Sequence, residues 1–341
     1  MFVTLLVLIT IYTFYMGYTD GSNAVATCIT TKAMHPRFAV YLSAVIQFVT
    51  VVLLYFFVSN MSVAATVGKG MIRNAAFDGI AAKDAFIFLL SALLSAILWS
   101  LITFFLKQPN STSHTLLGGI IGSAIGAFGF GSVLWKNVLL RIVLMIFLAP
   151  IISVLIGFAI NKLLRRIALR HATTATGKVV KTLQWVNVVL LSSAISVNDA
   201  QKSFGVYLLI ASVGLAKISA PPVYVAFTFA TALSFGMIFG GYRIIVTIGQ
   251  KLFKIKPLMS LSSQIATNVV IFTSSALGVP VSTGQVISST VVGIGVSERV
   301  RGVKWLTVKR IVLGWVITMP ATIAFGAIFY LLTNLILGGL L

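Results

Sequence analysis

Acidic residues are nearly absent from this chain of 341 residues, which contains only 5 Asp and Glu against 25 Lys and Arg. Charged residues make up 9% of the chain, whereas a soluble domain carries roughly 25%. Hydrophobic residues make up 59%, and no long hydrophilic stretch could fold as a separate water-soluble domain. This composition predicts an integral membrane protein whose whole length forms a membrane domain.

Cysteine and histidine are also scarce. The single cysteine, Cys28, excludes an internal disulfide and a cysteine-based metal cluster. The three histidines, His35, His114 and His171, are scattered along the chain, which argues against a transition-metal site. No hydrolase, kinase or Walker-type motif is present. The sequence therefore predicts neither an enzyme nor a bound cofactor.

The formal net charge of +20 has a simple explanation in a membrane protein. Basic residues collect in cytoplasmic loops under the positive-inside rule, so no nucleic-acid partner is required. Residues 162–181 contain six basic residues and no acid: Lys162, Arg165, Arg166, Arg170, Lys178 and Lys181. We interpret this segment as a basic cytoplasmic linker that joins membrane regions 1–161 and 182–341.

The two regions contain an internal repeat. The segment "PNSTSHTLLGGIIGSAIG", from residue 109, resembles "PVSTGQVISSTVVGIGVS", from residue 280. Four features match in one register: Ser111-Thr112 with Ser282-Thr283, Gly122 with Gly293, Trp135 with Trp305, and Pro150 with Pro320. A shared register of this kind indicates duplication, and duplicated membrane halves are typical of transporters that bind substrate between the repeats.

Hydrophobic runs divide the first half into five elements, at roughly 3–20, 37–58, 84–106, 113–132 and 138–162, of about the length that a membrane span needs. An odd number of crossings would invert the second half. The glycine-rich fourth element could instead be re-entrant, so the parity stays open. The predicted fold is an all-α polytopic protein of the cell membrane, built as an inverted repeat with about 10–12 membrane segments, some short or re-entrant.

Two aspartates lie against apolar segments, Asp20 in "TDGSNAVATC" and Asp199 in "VNDAQKSFG". An ionised carboxylate at the bilayer centre costs at least ~2.5–3.5 kcal/mol. Interfacial positions, or ion pairs with Lys32 and Lys202, would lower that cost. The equivalent positions in two repeats favour a shared cation, and the nearby Asn23 and Asn198 offer oxygens that suit a hard cation such as Na⁺. Protons carried by the aspartates are an open alternative.

Each repeat also carries a Pro-x-Ser-Thr motif before a glycine-bearing segment. A Ser or Thr at this place caps a helix, and the free backbone N–H groups of the first turn form an anion site. One copy is more simply read as ordinary capping. Two copies in register favour an anion-binding site.

The four motifs "TDGSNAVAT", "PNSTSH", "VNDAQKSFG" and "PVSTGQ" resemble, in this order, the signature of the PiT family of inorganic phosphate transporters. The resemblance covers essentially the whole chain and implies an inverted-repeat fold and a homodimer. It implies phosphate ligands at Asp20, Asn23, Ser111, Thr112, Ser113, Asp199, Gln201, Ser282 and Thr283. It implies Na⁺ or H⁺ ligands at Asp20, Asn23, Asn198 and Asp199. Lys202 either neutralises substrate charge or snorkels to the cytoplasmic face.

Three residues depart from the family pattern: Thr19 before the first aspartate, and Gly284-Gln285 in the second Ser-Thr motif. The family includes sulfate permeases, so these changes bear on anion choice. Hydrogen phosphate can donate a hydrogen bond to an acid, whereas sulfate only accepts, and this favours phosphate. The predicted function is symport of phosphate with Na⁺ or H⁺; the alternatives are a sulfate permease or, with less support, an anion channel.

Overall fold

The computed structural model describes residues 1–58, 61–106, 108, 110–170, 174–216, 220–240 and 252–339, and these are almost entirely helical. Within these ranges the only strand-like contact is an isolated bridge between Ile72 and Val133. Six helical stretches of the described residues are long and apolar enough to cross a membrane. The prediction of an all-α multi-pass membrane protein is confirmed.

The first half begins with α1 (Phe2–Met16), which continues through a π-helical turn (Gly17–Gly21) into α2 (Asn23–Thr30). The remaining first-half helices follow in order: α3 (Pro36–Phe57), α4 (Ser62–Lys69), α5 (Ala82–Phe105), α6 (Thr112–Phe128), α7 (Trp135–Val138) and, after a second π-helical turn (Leu139–Val143), α8 (Leu144–Arg170). Four of the five predicted hydrophobic elements contain a helix of membrane-spanning length, whereas the fourth contains α6, which has 17 residues and is not among the six spanning stretches. The short helix α4 is an addition that hydrophobic periodicity did not predict.

The second half contains five long helices among the described residues: α9 (Thr174–Ser212), α10 (Val223–Phe239), α11 (Pro257–Ala276), α12 (Thr283–Arg299) and α13 (Trp305–Leu337). Helices α8 and α9 extend through most of the basic segment 162–181, while residues 171–173 of that segment lie outside the described residues. The cytoplasmic location of this segment stays a prediction.

Local sequence signals explain where several helices begin and end. Proline occupies the first position of α3 and α11, where its missing N–H has no intrahelical partner to lose. The Ser111 hydroxyl accepts a hydrogen bond from the His114 N–H and so caps α6. Gly129, with a φ of 80°, ends α6 in a conformation that favours glycine.

The two halves pack through corresponding contacts. Helix α6 lies against α13, and its counterpart α12 lies against α8. A Cβ atom added to Gly122 would lie 2.0 Å from the Ile323 carbonyl oxygen, and one added to Gly293 would lie 2.1 Å from that of Val154. The repeated glycines therefore allow the same backbone approach in both halves, as small residues do between membrane helices.

The repeated tryptophans also have the same local structure. The Trp135 indole N–H donates to the Phe130 carbonyl at 2.9 Å, and that of Trp305 donates to the Val300 carbonyl at 3.2 Å, five residues back in both cases. Pro150 lies inside α8 and Pro320 lies inside α13. These agreements between side-chain contacts support the duplication inferred from the sequence.

Polar side chains lie inside the bundle and apolar side chains cover its outside. Leu335 and Phe57 are 82% and 79% exposed, whereas Asp199 and Lys202 are 0% and 1% exposed. This arrangement suits a protein surrounded by lipid, because lipid solvates apolar side chains and the interior must satisfy the polar ones. A candidate site is therefore to be sought in the interior.

Candidate binding site

The amino-terminal ends of α6 and α12 meet in the interior. Both helices begin at the threonine of the repeated motif, Thr112 and Thr283. The Ser113 hydroxyl donates to the Val281 carbonyl at 2.9 Å, so the first motif contacts the backbone of the second. The Tyr12 hydroxyl donates to the Thr112 carbonyl at 2.6 Å and fixes this junction to α1. The structure thus brings the two Ser-Thr motifs together.

Asp20 lies between these two helix ends. Its side chain is buried, and the Thr112 hydroxyl donates to its Oδ2 atom at 2.5 Å. A Cβ atom added to Gly284, at the start of α12, would lie 4.0 Å from Asp20 Oδ1 and 3.6 Å from Asn23 Nδ2. The positive ends of two helix dipoles therefore face this carboxylate, and helix amino termini favour anions.

A π-helical turn carries Asp20, and glycine contacts with α10 hold that turn. A Cβ atom on Gly17 would lie 2.2 Å from the Leu233 carbonyl oxygen, and one on Gly236 would lie 2.1 Å from that of Phe14. The backbones of α1 and α10 therefore approach too closely for any larger residue. Single π-helical turns within helices occur frequently at functional sites, and this one directs Asp20 towards the helix ends.

Asp199 has different surroundings. Its Oδ1 atom accepts a hydrogen bond from Lys202 Nζ at 2.7 Å, and both side chains are fully buried. The ion pair with Lys202 considered above is therefore present, and Lys202 does not snorkel to the surface. Asp199 and Lys202 both interact electrostatically with Asp20. With both acids ionised, two carboxylates and one ammonium group leave the site with an excess of one negative charge.

Several buried oxygens around the two aspartates make no hydrogen bond. They are Asn23 Oδ1, Asn198 Oδ1 and Asp199 Oδ2. An unpaired buried acceptor is unfavourable unless a donor or a cation approaches it. Carboxylate and amide oxygens are also the ligands that hard cations prefer. The site therefore offers acceptors for cations close to two helix ends that attract anions.

Gln201 is held by the short helix α4. Its Oε1 atom accepts a hydrogen bond from the Val63 N–H at 2.9 Å, in the first turn of α4. Asn198 Nδ2 donates to the Ser275 hydroxyl at 3.1 Å, which joins α9 to α11. Ser111, Ser282 and Thr283 are all buried. The predicted residues thus lie in one interior region, although the oxygen of Gln201 is engaged with α4.

The sequence interpretation did not select two residues of this region, Tyr12 and His114. Tyr12 donates to the backbone of the first Ser-Thr motif. His114 and Gln285 occupy equivalent places in the two motifs, and the buried atoms His114 Nδ1 and Gln285 Nε2 make no hydrogen bond. The sequence analysis had already named Gln285 as a departure from the family pattern, and the repeat register, with 171 residues between His114 and Gln285, could have identified His114 as well.

A buried polar site between two similar halves of a membrane helix bundle defines a membrane transporter. The chain belongs to the phosphate transporter family, whose model matches residues 16–326. This confirms the resemblance drawn from the four motifs.

Relatives of the same kind cover nearly the whole chain. It is 36% identical over 327 residues to a probable low-affinity inorganic phosphate transporter of Bacillus subtilis, with 95% of each chain covered. It is 31% identical to a protein of the same description from Rhizobium meliloti, covering 95% of this chain and 94% of the relative. Its fold matches a solved structure described as the sodium-dependent phosphate transporter, with a TM-score of 0.84, 23% identity and coverage of 98% of this chain and 99% of that one.

Proposed function

We propose that this protein imports inorganic phosphate together with Na⁺, and that the binding region exchanges access between the two sides of the membrane. The observation that carries the proposal is the position of Asp20, which lies between the amino-terminal ends of α6 and α12. One small region thus combines an acid that can hold a cation with two helix ends that can hold an anion.

The phosphate ligands in this proposal come from both repeats. The hydroxyls of Ser111, Thr112, Ser113, Ser282 and Thr283 lie at the two helix ends and are the proposed donors to phosphate oxygens. Those of Thr112 and Ser113 donate to Asp20 and to the Val281 carbonyl in this structure, so they must turn away from these partners to bind phosphate. Asp20 and Asp199 can accept the proton of hydrogen phosphate, an interaction that sulfate cannot offer. Lys202 reduces the repulsion between the anion and these carboxylates. Asn23 and the amide nitrogen of Gln201 complete the proposed set.

The cation ligands in this proposal are Asp20, Asn23, Asn198 and Asp199. With both acids ionised the site has an excess of one negative charge, so a phosphate dianion would be repelled unless cations bind with it. The unpaired amide and carboxylate oxygens suit Na⁺. The fold neighbour is described as sodium-dependent, which makes Na⁺ the first coupling ion to test. A proton on one of the aspartates is the second.

The matched contacts of α6 with α13 and of α12 with α8 support two related halves, 1–161 and 182–341, joined by the basic segment 162–181. We propose that the second half is inverted relative to the first, so that rocking of one against the other alternates access. A homodimer is part of the same proposal, and cross-linking of the purified protein in lipid vesicles tests it.

The proposed coupling can be tested with purified protein in proteoliposomes. We expect an inward Na⁺ gradient to drive accumulation of labelled phosphate, and Asp20→Asn to abolish it, because the amide cannot balance the charge of the cation. Asp78→Asn is the matched control, since Asp78 is exposed and outside the site. It should leave uptake unchanged.

Four outcomes would change the proposal. Accumulation driven only by a proton gradient would replace Na⁺ by H⁺. Suppression by excess sulfate would favour a sulfate carrier and direct attention to Thr19, Gly284 and Gln285. Phosphate that enters the vesicles but never accumulates against its own electrochemical gradient would indicate an anion channel. Normal sodium-driven uptake by Asp20→Asn would remove Asp20 from the cation site.

A further inference from the structure

A second buried polar region extends from the binding site between α2, α9 and α11, three helices that contact one another. On α2, polar residues recur at every fourth position and so share one face. The facing sides of α9 and α11 carry further polar residues. We call this set the polar column: Asn23 and Thr27 on α2 with the half-buried Thr31 directly after it, Gln184, Asn187 and Asn198 on α9, and Ser260, Gln264, Asn268 and Ser275 on α11.

Hydrogen bonds place these residues in sequence along the column. At the binding site, Asn198 bonds to Ser275. Farther along, Asn268 Nδ2 donates to Asn187 Oδ1 at 3.3 Å. At the far end, the Ser260 hydroxyl donates to Gln184 Oε1 at 2.8 Å. Since later residues of α9 pair with later residues of α11, the two helices run side by side in the same direction.

The middle of the column contains amide groups without partners. Neither Oε1 nor Nε2 of the buried Gln264 makes a hydrogen bond, and Asn268 Oδ1 makes none. Buried polar groups are nearly always paired with protein or water, so such a cluster indicates space that water or a polar ligand occupies. Helix α5, at the equivalent place in the first half, has no Asn or Gln between 82 and 105. The column is therefore specific to one side of the molecule.

One side chain closes the far end of the column. Gln184 Oε1 accepts from the hydroxyls of Thr31, at 3.2 Å, and Ser260, while Gln184 Nε2 donates to the Pro257 carbonyl at 3.1 Å. A single fully buried amide thus joins α2, α9 and α11. The adjoining residues Lys32, Lys181 and Lys256 are exposed. Gln184 therefore lies between the column and a basic surface that attracts anions.

We propose that the polar column is the route by which phosphate leaves the binding site towards the face that carries the basic segment 162–181, and that Gln184 is the latch that holds the route closed. The inference rests on the proposed function. Gln264 and Asn268 supply amide donors that replace hydrating water as the anion passes. Release requires the three bonds of Gln184 to break, which separates the ends of α2 and α11.

Cysteine labelling can test the route directly, because the chain has one cysteine, Cys28, that can be replaced by alanine. In that background we compare Gln264→Cys with Ser262→Cys in oriented vesicles, using a charged, membrane-impermeant thiol reagent on either side. Ser262 is the matched control, since it is equally buried two residues earlier on α11 but bonds to Asn161 of α8. We expect Gln264→Cys to react with the reagent only from the side of the basic segment. Phosphate together with Na⁺ should slow this reaction. Ser262→Cys should remain unreactive.

A second pair of variants tests the latch. Gln184→Ala, added to Gln264→Cys, should raise the labelling rate about fivefold or more, because losing one net hydrogen bond changes a population by roughly that factor. Asn161→Ala is the control, a buried amide that bonds to Ser262 and Ser297 outside the column. It should leave the rate unchanged.

The outcomes separate this inference from the proposed function. If the protein accumulates phosphate but Gln264→Cys is unreactive, or reacts only from the opposite side, the route is overturned. An equal increase by Gln184→Ala and Asn161→Ala would overturn the latch, since it would show general loosening. One-sided labelling without any phosphate uptake would contradict the proposed substrate and leave the aqueous route supported.

Discussion

At the scale of single residues, Asp20 and Asp199 occupy corresponding places in the two repeats but are stabilised in different ways. Asp20 relies on the Thr112 hydroxyl and on two helix ends, whereas Asp199 has a full ion pair with Lys202. A cation that approaches Asp20 meets a carboxylate without a lysine bonded to it. We therefore expect the two acids to contribute unequally to cation binding.

The buried pair has a testable effect on stability. Lys202→Met leaves Asp199 buried without its partner, and breaking such a pair typically costs about 3–5 kcal/mol. We expect a clear fall in the thermal unfolding midpoint of the purified protein. The double variant Asp199→Asn with Lys202→Met should recover much of that loss without recovering phosphate uptake.

The control for this prediction is Arg165→Met, which breaks the exposed ion pair of Arg165 with Glu298. An exposed pair is worth about 0–1 kcal/mol, so the unfolding midpoint should hardly change. Equal destabilisation by Lys202→Met and Arg165→Met would show that burial of the Asp199 pair does not matter.

At the scale of helices, glycine contacts hold each repeated segment to the last helix of the other half. Gly122→Ala or Gly293→Ala would place a methyl group about 2 Å from a backbone carbonyl oxygen, and overpacking of this kind typically costs about 1–3 kcal/mol. We expect both variants to lower the folded yield and the unfolding midpoint in detergent. Gly131→Ala should do neither, because a Cβ atom there meets nothing within 4 Å.

The sequence predicted those elements whose signals are local or repeated. The register of Ser111 with Ser282 and of Trp135 with Trp305 indicated the duplication, and Ser111 marked the start of α6. The ion pair of Asp199 with Lys202 remained one alternative among several, because burial decides it and burial depends on packing between distant helices. The π-helical turn at Asp20 and the short helix α4 also depend on such contacts, with α10 and with Gln201.

At the scale of the whole molecule, the proposed symport would couple its two substrates through the charge of the site. With both acids ionised, the excess negative charge around Asp20 and Asp199 disfavours a phosphate dianion, and each bound cation reduces that penalty. By linkage, Na⁺ must then raise the affinity for phosphate by the same factor by which phosphate raises the affinity for Na⁺. Couplings of this kind are typically about 5–150-fold.

Calorimetric titration of the purified protein measures both sides of this relation, with choline in place of Na⁺ as the reference. In the wild type we expect Na⁺ to raise the affinity for phosphate by the same factor as phosphate raises the affinity for Na⁺. In Asp20→Asn we expect this factor to be near one. Phosphate affinity that does not depend on Na⁺ in the wild type would contradict the electrostatic coupling.

The contact of α6 with α13 has a consequence for biosynthesis. The buried face of α6, near residue 120 of the chain, is covered in part by α13, which begins only at Trp305. Until α13 has been inserted, the glycines of α6 that face it, Gly118, Gly122 and Gly126, have no partner to pack against, whereas Gly119 already packs on α5. The amino-terminal half therefore gains its native packing only after α13 has entered the bilayer, so a chain that stops before Trp305 leaves this face of α6 open.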